Sequence, residues 1–254
     1  MASPNKKIVF ITGGNQGIGY ETAKNLILSS EDYHVILGSR DIDKGTTAVK
    51  TLQALPGVKG SVSTTQIDVT DDTSVDAAAA RISASHGHLD ILINNAGIVS
   101  MTHPPTRSTL RRILETNVVG ALSVTESFLP LLRKTAHPPS RLIFVSSSTG
   151  SITHASDPKS PYYGPGGATE YRASKAAVNM LMAQYCARLR PEGILVFGAD
   201  PGLCATNLTG DAQALRARGA VEAERGGERV AVVVRGERDE GVGRVLGEYG
   251  VSPW

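Results

Sequence analysis

A chain of 254 residues that is 41 % hydrophobic and 20 % charged is long enough to bury one sizeable α/β core. Its net charge of +2 calls for neither a nucleic-acid nor a membrane partner, and no run approaches the roughly 20 apolar residues of a membrane span. The two cysteines, Cys186 and Cys204, exclude a disulfide scaffold and suit a reducing compartment.

The polar stretch Met1 to Lys7 lacks the apolar core of a signal peptide, so a cytoplasmic location is expected. Ile8-Val9-Phe10-Ile11 is a short, β-branched apolar run of the kind that forms a buried parallel strand. Behind it come Thr12-Gly13-Gly14-Asn15-Gln16-Gly17-Ile18-Gly19 and then a helical pattern at Thr22, Ala23, Leu26 and Ile27. A strand, a glycine-rich turn and a helix N-terminus together make an anion site. Glycines let the backbone approach a pyrophosphate, while free N–H groups and the helix dipole favour its charge. The absence of a Gly-Lys-Ser/Thr ending excludes a Walker-type loop.

The second predicted strand, Val35-Ile36-Leu37, runs into Gly38-Ser39-Arg40. A dinucleotide fold that prefers NAD places a carboxylate here for the ribose 2′-OH. Ser39 takes that place and Arg40 follows, a guanidinium suited to a 2′-phosphate, so NADP(H) is favoured over NAD(H). Asp71-Asp72 precedes a helical run and reads as capping chemistry rather than a catalytic carboxylate pair.

His86 and His88 flank Gly87 in a turn before the strand Leu89 to Ile93. No carboxylate or thiol joins them at ligand spacing, so surface histidines and no metal are expected. Arg107, Arg111 and Arg112 form a small basic group without interleaved aromatics, which reads as a solvated face. The strand Arg141 to Val145 leads into Ser146-Ser147-Ser148, where strand alternation puts Ser147 on one side and its two neighbours on the other. A Gly-x-Ser-x-Gly elbow is lacking, which excludes a hydrolase built on Ser147, His154 and Asp157.

Residues 152–169, rich in Pro, Gly, Ser and Tyr, read as a loop over the site. Tyr171 and Lys175 follow, four apart on a predicted helix and so on one face. A fixed cation beside a phenol lowers its pKa from about 10 toward useful proton chemistry. Tyr162 and Tyr163 have no such neighbour, since Gly166 and Gly167 stand four residues on. Val230 to Val234 reads as a strand by propensity.

Taken in order, these motifs resemble the short-chain dehydrogenase/reductase superfamily, and in detail its fungal carbonyl-reductase-like members. Thr12 to Gly19 is similar to the family's Thr-Gly-x-x-x-Gly-x-Gly loop, and Asp68-Val69 to its adenine-contacting position. Asn94-Asn95-Ala96-Gly97 resembles its fourth-strand motif, and Asn117 the asparagine that kinks a long helix and holds a water for proton relay. Ser147 corresponds to its catalytic serine, and Pro201-Gly202, with Cys204 and Thr206 behind, to the nicotinamide-side turn.

The resemblance implies one doubly wound Rossmann domain over residues 1–254, a parallel sheet with helices on both faces. It places 152–169 over the active site and 203–225 over the substrate, makes 227–236 a helix, and puts the last strand near 243–246. It implies reduction of a ketone or aldehyde to an alcohol, with Tyr171 as proton donor, Lys175 and Ser147 assisting, and Asn117 linking Lys175 to solvent. Two other readings stay open: a cofactor-binding regulatory protein without turnover, and a biosynthetic enzyme using NADPH in a cyclising step. Family members commonly form homodimers or homotetramers, and the apolar Ala176, Ala177, Met180, Leu181 and Ala183 suit a homodimer here.

Overall fold

The computed structural model describes residues 6–164 and 167–254. The first five residues and two residues of the expected 152–169 loop, among them Gly166, lie outside the described residues. The apolar run at Ile8 becomes β1 (Lys7–Thr12), which turns through the glycines into α1 (Gly17–Ser29). The alternation continues through β2 (Tyr33–Ser39), α2 (Ile42–Gln53), β3 (Ser61–Gln66), α3 (Asp72–His86) and β4 (Ile91–Asn94). Next, α4 (Arg107–Leu114), a π-helical turn (Glu115–Val119) and α5 (Gly120–Leu132) form one continuous run. β5 (Arg141–Val145), a 3-10 turn (Ser148–Gly150), α6 (Ile152–Ser156), α7 (Thr169–Leu189) and β6 (Leu195–Ala199) follow. The last part holds β7 (Cys204–Ala205), α8 (Ala212–Ala217), β8 (Val221–Glu222), α9 (Ala223–Arg235), β9 (Val245–Gly247) and β10 (Gly250–Ser252).

The large sheet has the order β3-β2-β1-β4-β5-β6-β9-β10. All its pairings are parallel except that of β10 with β9, while β7 and β8 pair separately. Strand order reverses at β1, which lies between β2 and β4, and ligands of such sheets bind in the crevice at that switch point.

Each central strand serves two cores, which is why its sequence is a continuous apolar run. On β1, Val9 and Ile11 face α1, α2 and α9, whereas Ile8 and Phe10 face α3, α5 and α7. The Phe10 ring stacks on Phe128 of α5 with centroids 4.7 Å apart. Asp71 caps α3 as expected, its carboxylate accepting from the Thr73 and Ser74 N–H groups.

The C-terminal part follows the family topology rather than strand propensity. Val230, Ala231, Val233 and Val234 are all buried within α9. That spacing is a helical stripe, and burial against α1 and the sheet outweighs the β-preference of valine. The last parallel strand is Val245–Gly247, close to its expected place, and β10 adds an antiparallel edge that the sequence did not suggest. Among the described residues no helix is long and apolar enough to cross a membrane.

Candidate active site

A cleft of about 580 Å³ opens at the switch point. Its wall includes Gly13, Asn15, Gln16, Gly17 and Ile18 from the glycine turn and the start of α1, Ser39 and Arg40 at the end of β2, and Asp68 and Val69 after β3. Asn95, Ala96 and Gly97 after β4, Tyr171 and Lys175 from α7, Pro201 and Thr206 complete the expected lining.

The turn needs glycine where φ is positive, +64° at Gly13 and +58° at Gly17. Thr12 works from behind: its Oγ1 accepts from the Asn95 and Ala96 N–H groups, each at 3.0 Å. The Asn95 side chain returns a bond to the Thr12 carbonyl at 2.8 Å, so the two motifs hold each other. Asn94 points elsewhere, donating to Thr125 on α5 at 2.8 Å. Thr12, Gly19, Asn94, Asn117, Ser147, Gly202 and Cys204 do not line the cleft, whereas Ser146 does. Cys204 is buried, its thiol donating to the Pro201 carbonyl, and burial pushes its pKa up to about 11.

Most telling is how α1 begins. Side chains cap α2 (Asp41), α3 (Asp71) and α4 (Thr106), whereas α1, like α7 and α9, has no such bond, and α1 also lacks the first-turn acidic residue that Glu170 and Glu224 give those two. The leading N–H groups therefore lie unsatisfied by a side chain at the cleft wall, where an anion would meet them.

At the other end, Lys175 is buried and its Nζ donates to the Val145 carbonyl at 2.7 Å. Burial pushes its ammonium down to about 8, against a smaller upward pull from the Asp200 charge. The Tyr171 ring lies with its centroid 5.5 Å from that Nζ. Burial, reinforced by Asp200, raises the phenol above its ordinary value, and a hydrogen bond with the Ser147 hydroxyl lowers it only in part. This differs from the expectation that Lys175 would make Tyr171 more acidic. Desolvation is the largest cause of the shift on each of the two side chains.

The three serines beyond the end of β5 have different partners. Ser146 bonds Asn179 on α7, and Ser148 bonds the Asp200 carboxylate through both its N–H and its hydroxyl. Ser147 bonds the Thr149 hydroxyl at 2.9 Å and reaches Tyr171. Asn117 sits in the π-helical turn, buried, with both side-chain groups engaged. Its Oδ1 accepts from Ile98 N–H at 2.8 Å, and its Nδ2 donates to the Ile98 carbonyl and the Ser174 hydroxyl. The side chain is thus a brace between the segment after β4 and α7.

Sequence reasoning passed over several residues here. Lys44, one turn into α2, and Asp41 line the cleft beside Arg40. Asp41 spends its carboxylate on the Asp43 and Lys44 N–H groups. Arg112 and Thr116 also reach the wall, so Arg112 is more than part of a solvated face. Asp200 is the main omission: buried, it holds Ser148 and the Gly202 N–H at 2.8 Å. A carboxylate ending the apolar run Leu195 to Ala199, just before Pro201-Gly202, was the available signal.

The comparisons agree with this geometry. The chain belongs to the short-chain dehydrogenase/reductase family: the short chain dehydrogenase family matches it over residues 7–216. It is 38 % identical to the short-chain dehydrogenase/reductase tropE of Talaromyces stipitatus, over 97 % of either chain. It is 36 % identical to eupG of a Phoma species, another short-chain dehydrogenase/reductase, over 98 % of each. Among solved structures, NADPH-bound carbonyl reductase from chicken fatty liver superimposes with a TM-score of 0.83 at 27 % identity, covering 100 % of this chain and 96 % of that one. The chain is therefore an oxidoreductase of a family that binds nicotinamide cofactors.

Proposed function

We propose that this oxidoreductase reduces a ketone or aldehyde to the alcohol with NADPH, in a single domain spanning 1–254. The observation that carries the reading is one cleft joining the open N-terminus of α1 to the Tyr171 and Lys175 pair. NADPH bound there supplies the hydride. The N–H groups at Gly17 and Ile18 would hold its pyrophosphate, and Asp68 and Val69 its adenine. The exposed Arg40 and Lys44 would hold its 2′-phosphate. The NADPH-bound carbonyl reductase with the same fold supports this cofactor choice.

At the reacting end, the Tyr171 O–H donates its proton to the carbonyl oxygen as negative charge develops there. The Ser147 hydroxyl donates a hydrogen bond to the same oxygen. The Lys175 ammonium stabilises the phenolate that Tyr171 leaves behind, and reaches the nicotinamide ribose. Asn117 braces Ile98 and Ser174 so that α7 keeps its place, and a relay to solvent would have to run from its backbone carbonyl rather than its engaged side chain. Segments 152–169 and 203–225 would close over the substrate.

The test follows NADPH oxidation against a panel of ketones and aldehydes, with Tyr171→Phe in parallel. Turnover of at least one carbonyl is expected, with a loss of at least about 100-fold in the variant and near-unchanged NADPH binding. A Tyr171→Phe protein that kept its rate would refute the assignment.

A further inference from the structure

At the opposite end of the strands from the cleft, where β1 and β4 begin, three side chains meet around one carboxylate oxygen. Asp90, only 1 % exposed, accepts from the Ile8 N–H through Oδ2 at 2.7 Å. Its Oδ1 accepts from the Thr135 hydroxyl and from the Ala136 and His137 N–H groups. Two imidazole nitrogens then face Oδ2: His88 Nε2 at 3.3 Å and His137 Nδ1 at 3.4 Å. The expectation of scattered surface histidines is corrected here, because the loop after α5 brings His137 against the turn before β4, 47 residues earlier in sequence from His137 to Asp90.

The protonation pattern is the informative part. His88 Nδ1 lies 3.0 Å from the His86 carbonyl, which can only accept, so Nδ1 carries the proton. In that tautomer Nε2 is an acceptor, and it lies 3.3 Å from another acceptor, Asp90 Oδ2, with no hydrogen bond between them. Both His88 Nε2 and His137 Nδ1 are buried atoms without a hydrogen-bond partner among the described residues. Something positive belongs between them. A proton on either ring would draw nitrogen and oxygen to about 2.7–2.9 Å, shorter than these separations. A tetrahedral ion with bonds of about 2.0–2.1 Å sets its ligands about 3.3–3.4 Å apart along each edge, which matches both distances.

We propose that His88 Nε2, Asp90 Oδ2 and His137 Nδ1 bind one divalent transition-metal ion of the zinc class, with solvent in the fourth position. The donor set of two imidazoles and a carboxylate suits such an ion. The partner of His88 Nδ1 is the outer hydrogen bond that metal-bound imidazoles use to fix their tautomer, and Asp90 is oriented by four bonds of its own. The buried His34 does not compete, since its two nitrogens bond Ser61 and Ser63 at 2.9 Å each. The ion clips the loop after α5 to the start of β4, so its role is structural and separate from the cleft.

Tag-free protein stripped with a chelator and titrated calorimetrically with zinc chloride near neutral pH tests this, beside His88→Ala/His137→Ala. One zinc per chain is expected in the unaltered protein. The double variant should bind at least about 100-fold more weakly, since losing an outer partner alone costs about 10- to 100-fold. Zinc at a hundred times its dissociation constant should raise the melting temperature of the unaltered protein by roughly 5–10 °C, and that of the variant not at all. Cobalt substitution should give the visible absorption of a tetrahedral site. No zinc uptake, or equal uptake by the double variant, overturns the proposal. If circular dichroism shows the double variant unfolded, His137→Ala alone, on its surface loop, makes the same comparison.

Discussion

Lys175 is held where its charge is disfavoured: burial brings its ammonium down to about 8, from an ordinary value of 10.5. A shift of that size corresponds to on the order of 3 kcal/mol set against the charged folded state at neutral pH. Lys175→Met should therefore stabilise the apoprotein at pH 7 by about 1–3 kcal/mol, after loss of the Val145 bond, while abolishing turnover. The sign follows from proton binding. Between about 8 and 10.5 the unfolded chain holds more protons at this site than the folded one, so the native protein gains stability as pH rises, and the advantage of methionine fades over that window. Urea melts of both proteins at pH 7 and pH 10 decide it; a variant less stable at both would show that the Val145 bond outweighs desolvation. Across the cleft, Arg40 stands exposed. Arg40→Ala should raise the KM for NADPH by roughly 10- to 100-fold and leave NADH nearly unaffected, since a charge-assisted phosphate contact is worth about 1.5–3 kcal/mol. Steady-state kinetics with both cofactors distinguish this from a general loss, which would fall equally on each.

Among the elements, α1 and α9 approach most closely at a point fixed by Gly227. A Cβ there would lie 2.5 Å from Glu21 Cβ and 2.7 Å from the Thr22 nitrogen, partly backbone that cannot move aside. Alanine normally gains about 1 kcal/mol over glycine inside a helix. Overlap at this contact should exceed that gain, and Gly227→Ala should destabilise by about 1–3 kcal/mol. A denaturation midpoint equal to the native one would mean that the two helices separate without cost. The same region marks the limit of sequence reading. Val230 to Val234 has strand composition, and only its packing against α1 makes it a helix. That the glycine turn, Asn95, Tyr171 and Lys175 share one cleft was legible because each belongs to a local pattern with its own spacing. The partnership of Asp200 with Ser148, 52 positions earlier, and the His88–Asp90–His137 cluster were not, since sheet order rather than local pattern brings those residues together.

For the whole molecule, the question is which surface meets a second copy. The segment after Ser147 packs at the start of α7, where Arg172 donates to the Thr149 and Tyr162 carbonyls. It leaves Met180 58 % exposed farther along α7, with Val119 and Leu122 also exposed on the run through α5. Apolar groups on these two helices suit a homodimer packed through them. Light scattering at micromolar concentration should give twice the chain mass of 26.7 kDa. Met180→Asp together with Leu122→Asp should return it to that single-chain mass; a monomer from the outset would sink the interface.

The uncapped start of α1 has one more consequence. α2, α3 and α4 are capped by side chains of the chain itself, but α1, which opens on the cleft without an acidic residue in its first turn, is left to be completed by something dissolved in the surrounding water. On the proposed reading the dinucleotide is that missing piece. Because α1 lies against α9 and the sheet, the completed helix would steady a whole layer of the molecule, and the cell's supply of nucleotide would set how often that layer opens.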